Sequence, residues 1–120
     1  MHVRICVVIL MGTLVVAGCG RKSERATDGL ISDLKSVHEE HRLNAVRLLQ
    51  SRKGDATKVV PALIESLKDV QPDIRWSAAI GLGYFGAEAK GAVTALEKAQ
   101  GDTDARVREA ARVAISRIGR

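Results

Sequence analysis

Arg42-Leu43-Asn44-Ala45, Arg75-Trp76-Ser77-Ala78 and Arg108-Glu109-Ala110-Ala111 recur at an interval of 33 residues, twice over. The same interval relates Leu30, Leu63 and Leu96, then Leu49, Leu82 and Ile115, and it matches Gly86 to Gly119. A fixed period of this length is the signature of stacked supersecondary units, each with an apolar face that it cannot bury alone. Three units, roughly 30–57, 58–88 and 89–120, account for the chain from Leu30 onward.

Within a unit the apolar residues recur at helical spacing. In the second, Val59, Val60, Leu63, Ile64 and Leu67 form one stripe, with Pro61 expected in the first turn after Thr57. Asp69-Val70-Gln71-Pro72 breaks the pattern, and Pro72 suits the first position of a second helix. That helix carries Ile74, Ala78, Leu82 and Phe85 on one face and stops at Gly86. The third unit repeats the scheme with Val107, Ala111, Ala114, Ile115 and Ile118. Composition agrees: aromatics make up only 2% of the chain, so Leu, Ile, Val and Ala must fill the core, a mix that favours helices over a sheet. The expected fold is all-α, a short right-handed α-solenoid of about three helical hairpins.

These residues resemble a known family. Pro61-Ala62-Leu63-Ile64-Glu65-Ser66-Leu67-Lys68-Asp69 followed by Asp73-Ile74-Arg75-Trp76-Ser77-Ala78-Ala79-Ile80-Gly81-Leu82-Gly83 looks like a HEAT repeat of the PBS-lyase type, and Asp102 to Ala111 is similar. The resemblance implies a hydrogen-bonded ladder between units, made by an Asp at the end of each first helix and an Arg six residues later. Asp69 with Arg75 and Asp102 with Arg108 fit that spacing, whereas the first unit departs by having Ser36 at the acidic position. The third unit is more polar, with Glu97 and Gln100 where the second has Ile64 and Leu67, as an end cap requires. Gly91 weakens its first helix by about 1 kcal/mol relative to alanine. Three units are near the minimum for independent stability, so self-association is a further expectation.

The start of the chain reads as an address. One positive charge, Arg4, precedes an apolar run from Ile5 to Val16 and the small residues Ala17-Gly18 before Cys19. A run this short does not span a bilayer core of about 30 Å, but it suits a signal peptide. Val16-Ala17-Gly18-Cys19 resembles the bacterial lipobox, which implies a cleaved signal peptide over 1–18, lipidation of Cys19 and a flexible tether through residue 29. The alternatives are a plain anchor helix with an incidental cysteine and a soluble secreted protein cut at another site. The lipobox places the protein in the bacterial cell envelope, on the extracytoplasmic side. Gly20, rather than Asp, after the cysteine points to the outer membrane where one exists. Processing would leave 18 basic and 14 acidic residues, a net charge of +4, too small to nominate nucleic acid as a partner. Cys6 and Cys19 are the only cysteines, so the repeats carry neither a disulfide nor a thiol nucleophile.

Little else suggests chemistry. His38-Glu39-Glu40-His41 spaces its histidines by three rather than the zincin four and lacks a third ligand, while Glu39 and Glu40 suit a helix start. Gly81, Gly83 and Gly86 sit late in a helix and do not form a phosphate loop. No catalytic set, cofactor or metal site is assigned. A partner site is: Trp76, Ile80 and Tyr84 fall at i, i+4 and i+8, displaced from the core stripe, with Arg42, Arg75, Arg108 and Arg112 beside them. The matching positions (Leu43, Arg47 and Ser51; Glu109, Val113 and Arg117) are chemically mixed, which suggests exposure and a protein-binding hot spot. Cover of a groove between helices is the competing reading for Trp76 and Tyr84.

The expected function is a non-catalytic, membrane-anchored interaction or scaffold module for a protein partner. The alternative is a structural lipoprotein whose basic helices dock on anionic lipid or polysaccharide, with binding that falls steeply with salt. Cys19→Ser should abolish incorporation of labelled palmitate and release the protein from the membrane fraction. Unchanged labelling would remove the anchor from the account.

Overall fold

In a computed structural model, residues 26–119 are described. Cys19 and the whole signal segment lie outside them. The described chain is a succession of helices: α1 (26–33), α2 (Glu39–Leu49), α3 (Ala56–Ser66), α4 (Pro72–Phe85), α5 (Val93–Ala99) and α6 (Ala105–Ile118). Short 3₁₀ segments at Lys53–Asp55 and Gly86–Ala92 link successive hairpins. No strand occurs among the described residues. Hairpins α1–α2, α3–α4 and α5–α6 are the three units, and the second helices α2, α4 and α6 pack side by side.

The 33-residue correspondences become a single core. Leu63, Leu96, Leu49 and Leu82 are fully buried and Ile115 nearly so, while Leu30 packs partly against them. All of the residues that form the predicted stripes of α4 and α6 are buried. Pro72 opens α4. Gly86 and Gly119 end α4 and α6 with φ of 56° and 77°, backbone that a side chain resists.

Three expectations are corrected. The first described residues, 26–29, are already helical, so they belong to the fold and not to a tether. Thr27 is buried there and its hydroxyl donates to Asp55 Oδ2 at 2.6 Å, tying α1 to the 3₁₀ turn before α3. Pro61 lies in the second turn of α3, because the helix starts at Ala56. It is exposed, and having no N–H it leaves the Thr57 carbonyl without its intrahelical donor. The first helix of the third unit is shorter than its counterpart: Gly91 falls in the 3₁₀ segment, and α5 spans 7 residues against 11 in α3.

The ladder is also wired differently from a pairing six residues apart. Arg42 Nε and Nη2 donate to Asp69 Oδ2 and Oδ1 at 2.8 and 3.2 Å, and Arg75 Nε and Nη2 donate to Asp102 at 2.9 and 3.0 Å. Each rung therefore joins an arginine to the aspartate 27 residues ahead, in the next unit. Within its own unit Arg75 reaches only the backbone carbonyls of Asp69 and Val70, at 2.8 and 3.1 Å through Nη1. Arg42 does the same to Ser36 and Val37, so the first unit takes part without an acid of its own. Ser36 retains the other task of that position: its Oγ accepts the His38 N–H at 3.1 Å, as Asp69 accepts Gln71 N–H and Asp102 accepts Asp104 N–H.

Both rungs are nearly desolvated, with side-chain exposures of 11–14%. The hydrogen bonds from Arg75 hold the Asp102 carboxyl below its ordinary range, against the opposing effect of burial. A carboxylate depressed in the folded state contributes stability above its unfolded pKa of about 3.9, and this is lost as pH falls through the lower folded value. Asp102→Asn should lower stability at pH 7 by about 2–3 kcal/mol, leaving Arg75 with carbonyl partners alone. In a domain of this size the melting temperature drops on the order of 10–20 °C. The gap between wild type and variant should close as pH is taken below about 4. A pH-independent gap in urea titrations would contradict the rung.

Candidate functional site

The packing of α4 against α6 leaves an open apolar groove of about 560 Å³. Its floor is Ala79, Gly83, Ala110 and Ala114, and Trp76, Ile80, Tyr84 and Val113 stand along it. Three of the four residues assigned to a partner site from the sequence are thus brought together on one surface. Trp76 and Ile80 are half-buried at its sides, and Tyr84 is 48% exposed. Both readings of the aromatics hold in part: they flank an inter-helix groove, and they remain accessible within it. Arg112 does not join them. It faces Gln100 outside the groove, and reaches the groove only through its ion pair with Glu109, which lines it.

Two arginines that the sequence reading left out of the site hold the aromatic rings in place. The Arg106 guanidinium lies 5.7 Å from the Trp76 ring centroid, and that of Arg117 lies 5.5 Å from Tyr84. Arg106 is itself fixed, bound to Asp73 at 2.8 Å and Asp104 at 3.0 Å. Asp104 caps α6 by accepting the Arg106 and Val107 N–H groups. The Arg106 side chain first, and those N–H groups next, hold its carboxyl down to about 2. At the Trp76 end the Arg106 cation is therefore outweighed by two carboxylates, Asp73 and Asp104, while the end at Tyr84 carries the cation of Arg117. A residue one past each ladder position, 33 apart from Trp76, was the signal for Glu109. Arg106 had none, because the contact depends on how far apart the two helices lie.

The groove is open here and closed at the preceding joint for a reason visible in three residues. Between α2 and α4 the Gln50 side chain fills the corresponding space, its amide donating to the Ser77 carbonyl at 2.9 Å. It lies so close to Gly81 that a Cβ there would fall 2.8 Å from Gln50 Cγ. The residue 33 after Gln50 is Gly83, which offers nothing to fill the joint between α4 and α6. Its bare backbone instead lets α6 approach, since a Cβ on Gly83 would sit 3.1 Å from Ala114 Cα. Gly81 and Ala114 are likewise 33 apart, so plug and socket both change between the two joints.

The histidines gather no ligand set. His38 and His41 meet edge to face at 5.1 Å, and His41 Nδ1 lies 3.3 Å from Ser36 Oγ. Among the described residues no group of three potential ligands comes together, and no helix is long and apolar enough to cross a membrane. Of the row of arginines beside the stripe, Arg42 and Arg75 are consumed by the ladder.

A family model for HEAT repeats matches residues 27–116. No curated protein matches the chain.

Gly83→Gln should close the groove but force α4 and α6 apart, at a cost of about 1–3 kcal/mol. Adding Ala114→Gly recreates the arrangement of the first joint. The double variant should be the more stable of the two in urea unfolding, despite a helix penalty of about 1 kcal/mol for the new glycine. Simple additivity of the two losses would show that the plug does not transfer.

Proposed function

The chain belongs to the HEAT-repeat family, whose members typically mediate protein–protein contacts, and from that premise we propose that it is a non-catalytic interaction module that receives a partner protein in the groove between α4 and α6. The observation that carries this reading is the coincidence of Trp76, Ile80, Tyr84 and Val113 along an accessible groove with a small-residue floor. A rigid aromatic wall beside a shallow apolar trough suits insertion of a partner's aliphatic or aromatic side chains, where binding energy concentrates. The arginines over Trp76 and Tyr84 keep both rings in position before a partner arrives, which lowers the entropy lost on binding.

The lipid anchor extends the proposal. With Cys19 acylated, the module stands on the extracytoplasmic side of a bacterial membrane. Cys19 lies seven positions before residue 26, the first described residue of α1, so the groove works close to the bilayer surface. The role is then recruitment or scaffolding of an envelope protein beside the membrane. Docking on anionic lipid through basic helices is the weaker reading, because the ladder engages Arg42 and Arg75, and Arg106 and Arg112 are paired with carboxylates.

Crosslinking and affinity capture from native membranes, with the lipidated wild type beside Trp76→Asp and Gly83→Gln/Ala114→Gly, tests the proposal. One protein enriched by the wild type and lost from both folded variants is the expected result. Equal recovery from all three would eliminate the groove as the binding face. Recovery of bulk lipid alone, weakened by salt, would favour surface docking.

A further inference from the structure

The third arginine of the ladder repeats the first two in every respect but one. Arg42, Arg75 and Arg108 each turn Nη1 onto two carbonyls of their own hairpin turn, at 2.9 and 3.4 Å, 2.8 and 3.1 Å, and 2.8 and 3.2 Å. This pair of bonds fixes the guanidinium plane and aims its Nε–Nη2 edge away from the unit. In Arg42 and Arg75 that edge grips a carboxylate through two bonds. Among the described residues no carboxylate lies on the same edge of Arg108, which is exposed. The hollow around it is lined by Gln100, Glu109 and Arg112, and Glu109 is already bound to Arg112. Arg108 is thus the unmatched positive charge of that hollow, held ready in the geometry that takes an aspartate twice elsewhere in the molecule.

We propose that the outer edge of Arg108 is a docking site for an aspartate carried on a helix-to-helix turn of a partner protein. Aspartate on a turn is the fitting chemistry because Asp69 and Asp102 each bind the backbone N–H two residues on while receiving the arginine. A short carboxylate anchored to its own turn arrives with both oxygens oriented for a fork. A second copy of this chain does not supply it: the ladder position of its first unit is Ser36, and Asp69 and Asp102 are engaged. The surroundings also select against an apolar hairpin, since Gln100 and Arg112 are exposed where the preceding joint has buried Leu67 and Ala79. An acidic, hydrophilic turn is what remains complementary. This surface adjoins the aromatic groove along Ala105 and Glu109, which line both, but Arg108 itself lies outside the groove.

The probe is the blocked hexapeptide Leu-Lys-Asp-Val-Gln-Pro, which copies residues 67–72 and contains the aspartate of a native rung. It is titrated into the chain labelled at arginine with nitrogen-15, with the Nε–H resonances followed by NMR. The expected result is a saturable shift of the Arg108 resonance while those of Arg42 and Arg75 stay in place. The peptide with Asn in place of Asp should bind at least ~10-fold more weakly. Arg108→Lys, which keeps the charge and loses the fork, should lose binding to the same extent. A stationary Arg108 resonance would overturn the proposal. So would equal shifts at Arg47, Arg112 and Arg117, or an equally effective Asn peptide, since each reports charge attraction without the fork.

Discussion

One arginine at the start of the second helix, Arg42 in the first unit and Arg75 in the second, ties each hairpin to the one after it. Its Nη1 closes the turn of its own hairpin, and its Nε–Nη2 edge reaches the aspartate of the next. Apolar burial drives the hairpins together but has no direction and tolerates sliding of one unit against another. A bidentate ion pair in a nearly dry joint does not. The ladder therefore sets the register in which α2, α4 and α6 lie alongside one another. The position of every side chain on that helical layer follows from it, including the aromatic groove.

Register alone does not make a groove. Both joints of the layer carry a rung of the ladder, yet one is filled and the other open. The difference is the exchange of Gln50 opposite Gly81 for Gly83 opposite Ala114. A repeat protein can thus keep the same ladder and still place a cavity at one joint, because the joint-filling positions contribute little to the stripe that builds the core. Trp76 and Tyr84 use that opening. Their rings would crowd a joint plugged by glutamine, whereas beside Gly83 they become the walls of a trough, steadied by Arg106 and Arg117.

The arginine at the third ladder position shows the same economy of parts. The geometry that joins units within the molecule is presented outward by Arg108, on a face made hydrophilic by Gln100 and Arg112. A module with an apolar trough and, beside it on α6, an arginine fork for a carboxylate can engage a partner through two chemistries at once. Such divided recognition raises specificity, since a competitor must satisfy both.

The period, the hairpins, the helix stops at Gly86 and Gly119 and the buried stripes were all determined by the sequence by itself, because they depend on contacts between residues a few places apart or repeated at a fixed interval. The stripe of Trp76, Ile80 and Tyr84 was legible for the same reason. The tertiary structure decided everything that depends on which side chain faces which across a joint. It moved each rung from a pair six residues apart to one 27 apart, and it placed Arg112 away from the aromatics. It also put Arg106 over Trp76 and drew residues 26–29 into the first helix through Thr27 and Asp55. Periodicity gives the face that a residue occupies on its own helix, but not its height against a neighbouring helix. That height is fixed only when the helices dock, and here Gly83 opposite Ala114, in place of Gln50 opposite Gly81, separates a binding groove from a plugged joint.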